Sequence, residues 1–165
     1  MTAALLIDLD GALGDTRPLW DAWLADAERV LPVDTRALPA DRGLAANALD
    51  DAGAGNWRAL LGRFAEDRAP IYLRPDATTS AALRQLAGSG VRLGAFTDAP
   101  AELADLALAQ LGAARRLERV EAGTNALERL RAALGEDSPV VRTRAQLSAY
   151  AWPAAPPTGA DPRRA

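Results

Sequence analysis

Residues 3–16 run Ala3-Ala4-Leu5-Leu6-Ile7-Asp8-Leu9-Asp10-Gly11-Ala12-Leu13-Gly14-Asp15-Thr16, an apolar stretch that stops at an aspartate and turns through a glycine. Five apolar residues in succession, without polar alternation, suit a strand covered on both faces in a parallel sheet. In such sheets ligands gather at the carboxyl ends of the strands. Asp8 and Asp10 stand there, two residues apart on one loop, and Gly11 lets the backbone turn sharply enough for its amide to approach a ligand. A carboxylate in that position can attack phosphorus, and paired carboxylate oxygens suit magnesium, which would neutralise the charge between nucleophile and phosphate.

Outward from this loop, the apolar residues of 18–31 (Leu19, Trp20, Trp23, Leu24, Ala27, Val30 and Leu31) recur at helical spacing, with Asp15 and Thr16 placed as caps. Shorter amphipathic helices are predicted over 44–49 and 57–64, and no strand falls among these three helices. Trp20, Trp23 and Trp57 lie on their apolar faces and are expected in the core. Beyond Pro75 the pattern alternates. A helix over 79–86 leads into a strand over 91–96, then a helix over 101–111 stopped by Gly112. A weaker strand over 117–121, a helix over 126–134 ended by Gly135 and a strand over 139–141 follow. Such alternation predicts an α/β sandwich with helices on both faces of a parallel sheet. The expected division is a core of 1–16 and 70–150, a small helical cap of 17–69 inserted after the first strand, and a Pro-rich disordered tail of 151–165.

The 165 residues allow one compact core with a small insertion. There is no histidine and no cysteine, and every one of the 19 basic residues is arginine. A Ser-His-Asp or Cys-His site, a thiolate redox pair and a Cys/His zinc cage are therefore excluded. A net charge of -3 offers no basic field, so neither nucleic acid nor membrane is an expected partner. With no disulfide chemistry, no signal-peptide pattern and no apolar run of spanning length, a cytoplasmic location is the expectation.

The stretch from Leu5 to Thr16 resembles the first motif of the haloacid dehalogenase superfamily, DxDGxLxD[ST], at every fixed position. The strand over 91–96, ending in Thr97-Asp98 before a helix, is similar to the second motif. The resemblance implies a Rossmannoid three-layer sandwich, a parallel sheet with a helical cap inserted after the first strand. It further implies a phosphatase-type hydrolase, magnesium-dependent, acting on a small phosphomonoester through an aspartyl-phosphate. Asp8 would be the nucleophile, Asp10 the acid and then the base, both would bind magnesium, and Gly11, Thr97 and Asp98 would surround the phosphate. Asp10 weighs against the halide-removing members, which generally lack it. Asp15 and Thr16 are explained as helix caps.

The second half departs from the family pattern. Its third motif carries a Lys or Arg; lysine is absent, and Arg115, Arg116, Arg119, Arg142 and Arg144 remain open as substitutes. Its fourth motif is an acidic cluster that holds magnesium. That motif aligns either with residues 123–128 or, preferably, with Val141-Arg142-Thr143, and both alignments lose the central aspartate. With Arg142 there, a positive charge stands where the family holds its cation, and magnesium affinity should fall. The alternative function is therefore a catalytically degenerate protein of this fold that binds a phosphorylated ligand or partner without turnover.

Overall fold

The computed structural model describes residues 3–154. Four parallel strands, β1 (Ala4–Asp8), β2 (Arg92–Thr97), β3 (Arg119–Ala122) and β4 (Val140–Val141), form one sheet. Their order is β3-β2-β1-β4, which puts β1 in the interior with a neighbour on each edge. Register pairs Asp8 with Phe96 and Ile7 with Val141, so β1, β2 and β4 all deliver their last residues to one end of the sheet.

The unbroken apolar run of β1 is needed because its two faces enter two different cores. Leu5 and Ile7 join the larger cluster, while Ala4 and Leu6 meet Phe96 and the buried residues Ala126, Leu130 and Leu134 of α6 (Ala126–Leu134). Each such Leu or Ile contributes about 1.5–3 kcal/mol on burial. Gly94 lies opposite Leu6 under α6, and a Cβ there would stand 2.5 Å from a Leu134 methyl, so this glycine permits the close helix–sheet contact.

Between β1 and β2 lie α1 (Arg17–Ala27), α2 (Arg42–Asp51), α3 (Trp57–Tyr72) and α4 (Ala77–Gly88); α5 (Ala101–Gln110) and α7 (Arg144–Ala151) complete the helices. Trp23 packs its ring between Trp20 and Trp57, at centroid distances of 5.2 and 5.8 Å. All three rings are buried. α3 rests on α5, and Arg58 ties this contact to α2, reaching Asp50 at 2.8 Å and Glu102 at 3.1 Å.

Two predicted boundaries move by more than two residues, and one helix is additional. The first helix ends at Ala27, because Val30 is 69% exposed while Leu31 folds back into the core through a bond from its amide to the Ala27 carbonyl. α3 runs eight residues past position 64 because Ala65 and Ala69 continue the buried stripe of Trp57 and Leu61 at four-residue spacing; alanines make that continuation faint in sequence. α7 is an additional helix, capped by the Thr143 hydroxyl and packed on α4 through a face whose buried residues are Leu147 and Ala151. Of the expected tail, Ala151 closes α7 and is buried, and residues 155–165 lie outside the described residues. Among the described residues no helix is long and apolar enough to cross a membrane.

Candidate active site

The strand ends converge on a cleft of about 490 Å³, whose lining includes Asp8, Asp10, Arg42, Thr97, Asp98 and Arg142. Asp8 closes β1. Its Oδ1 accepts the Asp10 amide at 3.1 Å, and its Oδ2 accepts from Arg142 Nη1 at 3.0 Å. Burial and the neighbouring Asp10 charge push the Asp8 carboxyl above its ordinary value, and Arg142 only partly offsets them.

Asp10 is held far more tightly. Oδ1 accepts both the amide and the hydroxyl of Thr16 at 2.7 Å, and Oδ2 accepts the Thr97 hydroxyl at 2.7 Å and Arg42 Nη2 at 2.5 Å. Burial opposes the charge on Asp10, but Arg42 together with these hydrogen bonds outweighs it and leaves the carboxyl below its ordinary value. The Thr16 hydroxyl therefore does not cap α1, as the local pattern suggests; it turns inward to Asp10, and Asp15 accepts the Arg17 amide instead.

Arg42 is the residue that sequence reasoning missed. It opens α2, where Asp41 caps the helix by accepting the Leu44 amide. Its side chain, only 4% exposed, crosses to the strand ends. Nε and Nη2 donate to Asp98 Oδ1 at 3.0 and 2.6 Å, and Nη1 donates to the Thr16 hydroxyl at 2.6 Å. The Arg42 amide also donates to Asp98 Oδ2 at 3.0 Å, so one carboxylate both grips the side chain and faces the positive end of α2. Gly43 permits this seating, since a Cβ there would collide with the main chain of Gly123 and Thr124.

Of the residues expected around a phosphate, Thr97 points into the cleft but commits its proton to Asp10. Asp98 spends its carboxylate on Arg42. The Gly11 amide is not presented to the cleft; it donates to the Gly14 carbonyl at 2.7 Å. Gly11 is required for another reason. It adopts φ +122°, and its missing Cβ leaves room for the Arg142 carbonyl.

No protein-family model matches the sequence, and no curated protein does. Solved structures do match the fold. CbbY from Rhodobacter sphaeroides, in complex with phosphate, superposes with a TM-score of 0.54 at 14% identity, covering 76% of this chain and 65% of that one. The fold is that of the haloacid-dehalogenase-like hydrolases. A haloacid-dehalogenase-like family protein from Streptococcus pneumoniae gives 0.54 at 12% identity over 91% and 81% of the two chains. A protein provisionally named a β-phosphoglucomutase from Thermotoga maritima gives 0.51 at 18% over 91% and 82%. This chain thus spans 65% of the length of CbbY, less than two thirds, and the likeness at these identities is one of fold.

β4 lies beside β1, so Arg142 follows the strand next to Asp8, whereas residues 123–128 lie beyond β3. Asp98 follows β2, on the other side of β1. Magnesium, which this fold implies, does not fit the residues present. Among the described residues, no three acidic side chains come together in a way that could hold an ion. The outer oxygens of Asp8 and Asp10 each face a guanidinium, whereas magnesium demands near-octahedral oxygen ligands.

Proposed function

We propose that this chain is a haloacid-dehalogenase-like protein that holds the phosphoryl group of a small phosphomonoester in the strand-end cleft with turnover suppressed. The observation that carries this reading is the state of Asp10, which accepts four hydrogen bonds, one of them an ion pair with Arg42. For hydrolysis, an Asp8 oxygen must bond to phosphorus as the ester oxygen departs, and the departing oxygen must receive a proton. With both oxygens engaged by Thr16, Thr97 and Arg42, Asp10 is held as the carboxylate and has no oxygen free to carry a proton to the departing group. A bound metal supplies several kcal/mol to such a transition state, and about 1.4 kcal/mol is tenfold in rate. The CbbY structure, which holds phosphate on the same fold, supports a phosphoryl ligand here.

A second reading is favoured by one feature, the retention of Asp8 at the end of β1 with a second aspartate two residues on. It is a phosphohydrolase working through an aspartyl-phosphate, in which Arg42 must withdraw so that Asp10 can take up a proton. Aryl phosphate hydrolysis, measured with and without magnesium beside Asp8→Asn, separates the two. Turnover equal to the Asp8→Asn background supports suppressed turnover; turnover that Asp8→Asn abolishes supports the hydrolase. Orthovanadate should raise the melting temperature in either case, and absence of any shift would sink the phosphoryl-binding reading itself.

A further inference from the structure

We propose that Arg142 is the built-in cation of this cleft, so that a tetrahedral oxyanion of the phosphoryl class binds beside Asp8 without a divalent metal. This rests on the phosphoryl-binding reading and says what neutralises the ligand. Register puts Arg142 directly after Val141, the partner of Ile7, so its side chain starts beside Asp8. Its main chain is fixed on two sides. The Arg142 amide donates to Gln146 Oε1 at 2.7 Å, in the first turn of α7, and its carbonyl fills the space left by the missing Cβ of Gly11.

The guanidinium lies 5.3 Å from the Phe96 ring centroid and donates through Nη1 to Asp8. This contact uses one nitrogen. Among the described residues, Nε and Nη2 donate to no protein acceptor, and the side chain is 56% exposed on the cleft wall. The planar fork can therefore keep its place over Phe96 and offer the remaining donors to two oxygens of one ligand, the pairing at which arginine excels. Asp8, Asp10 and Asp98 bring three negative charges against the two positive ones of Arg42 and Arg142, a net of one negative, so the anion must draw its attraction from the open donors of Arg142 and not from the overall charge of the site.

The test uses the full chain and two probes. Magnesium chloride is titrated calorimetrically into wild type and Arg142→Asp, and orthovanadate is titrated into wild type and Arg142→Gln, with chelator or with excess magnesium. Wild type should show no saturable magnesium binding and Arg142→Asp should acquire it. Vanadate affinity should be the same within about twofold under both conditions and fall about tenfold or more in the near-isosteric Arg142→Gln. Saturable magnesium binding by wild type, or vanadate binding abolished by chelator, overturns the proposal. If vanadate fails to bind under every condition, the phosphoryl reading falls, while the wild-type magnesium titration still decides whether the cleft takes a metal.

Discussion

Replacing Arg42 by methionine tests whether the strand-end cluster is a buried ion pair that fastens α2 to the sheet. The variant keeps an apolar stem and removes every donor. Arg42 and Asp10 have side-chain exposures of 4% and 8%, and Asp98 has 37%. Breaking a buried pair by removing one partner costs about 3–5 kcal/mol, because the survivor is left charged and uncompensated. Here the lower end applies. Asp98 can rehydrate, and Asp10 retains the Thr16 amide, the Thr16 hydroxyl and the Thr97 hydroxyl. The expected loss is about 3 kcal/mol, or roughly 6–12 °C in melting temperature for a chain of this size. Urea unfolding followed by circular dichroism, with an unchanged m-value, measures it.

The same reasoning fixes the partner and the pH dependence. Adding Asp10→Asn to Arg42→Met removes the stranded charge, so the double variant should recover about 1–2 kcal/mol relative to additivity. In wild type the Asp10 carboxyl lies below its ordinary 3.8; its stabilising contribution is complete above that value and is lost as pH falls through the depressed one. In Arg42→Met, burial is no longer offset by the guanidinium, Asp10 takes up a proton more readily, and the penalty shrinks on acidification. A loss under about 1 kcal/mol at pH 7, or a penalty that Asp10→Asn leaves untouched, would refute the buried-pair account.

Gly43→Ala places a Cβ against the main chain of Gly123 and Thr124, so it should cost about 1–3 kcal/mol by thermal melt, although alanine is the better helix former; a neutral result would show that α2 does not sit this close. Asp8→Asn should be at least as stable as wild type at pH 7. The raised carboxyl makes the ionised form costly above the folded value, a cost that fades below 3.8, and a destabilised variant at neutral pH with no recovery in acid would contradict this. Gly11→Ala meets both a φ of +122° and the Arg142 carbonyl, and it should lose about 2–3 kcal/mol; a melt within 1 °C of wild type would exclude that geometry.

The fold was legible because its deciding signals are local. An apolar run ending in an aspartate places β1 and Asp8 together, and Thr97 follows β2 just as directly. What stayed hidden depends on distance along the chain. Arg42 meets Asp98 across 56 residues and Asp10 across 32, and it is one arginine among 19. One local signal did mark it: a glycine just inside a helix start, at position 43, costs about 1 kcal/mol against alanine and calls for a reason such as close packing. Thr16 misled in the opposite way, since a hydroxyl before a helix satisfies the capping rule without regard to the carboxylate six residues back.

The same contrast separates what holds the fold from what sets the charge of the cleft. β1 is held by Leu5, Leu6 and Ile7, all essentially buried, and none of those contacts depends on which side chain follows Val141. Residue 142 contributes its amide to Gln146 and its carbonyl to the space over Gly11, which any residue able to take that conformation could do. Its side chain is more than half exposed, so exchanging a carboxylate for a guanidinium there costs the fold little. Beside Asp8 the charge of that residue matters directly, because a guanidinium there repels a metal ion that a carboxylate could hold. Stability thus places little constraint on position 142, and the chemistry of the cleft depends on it directly.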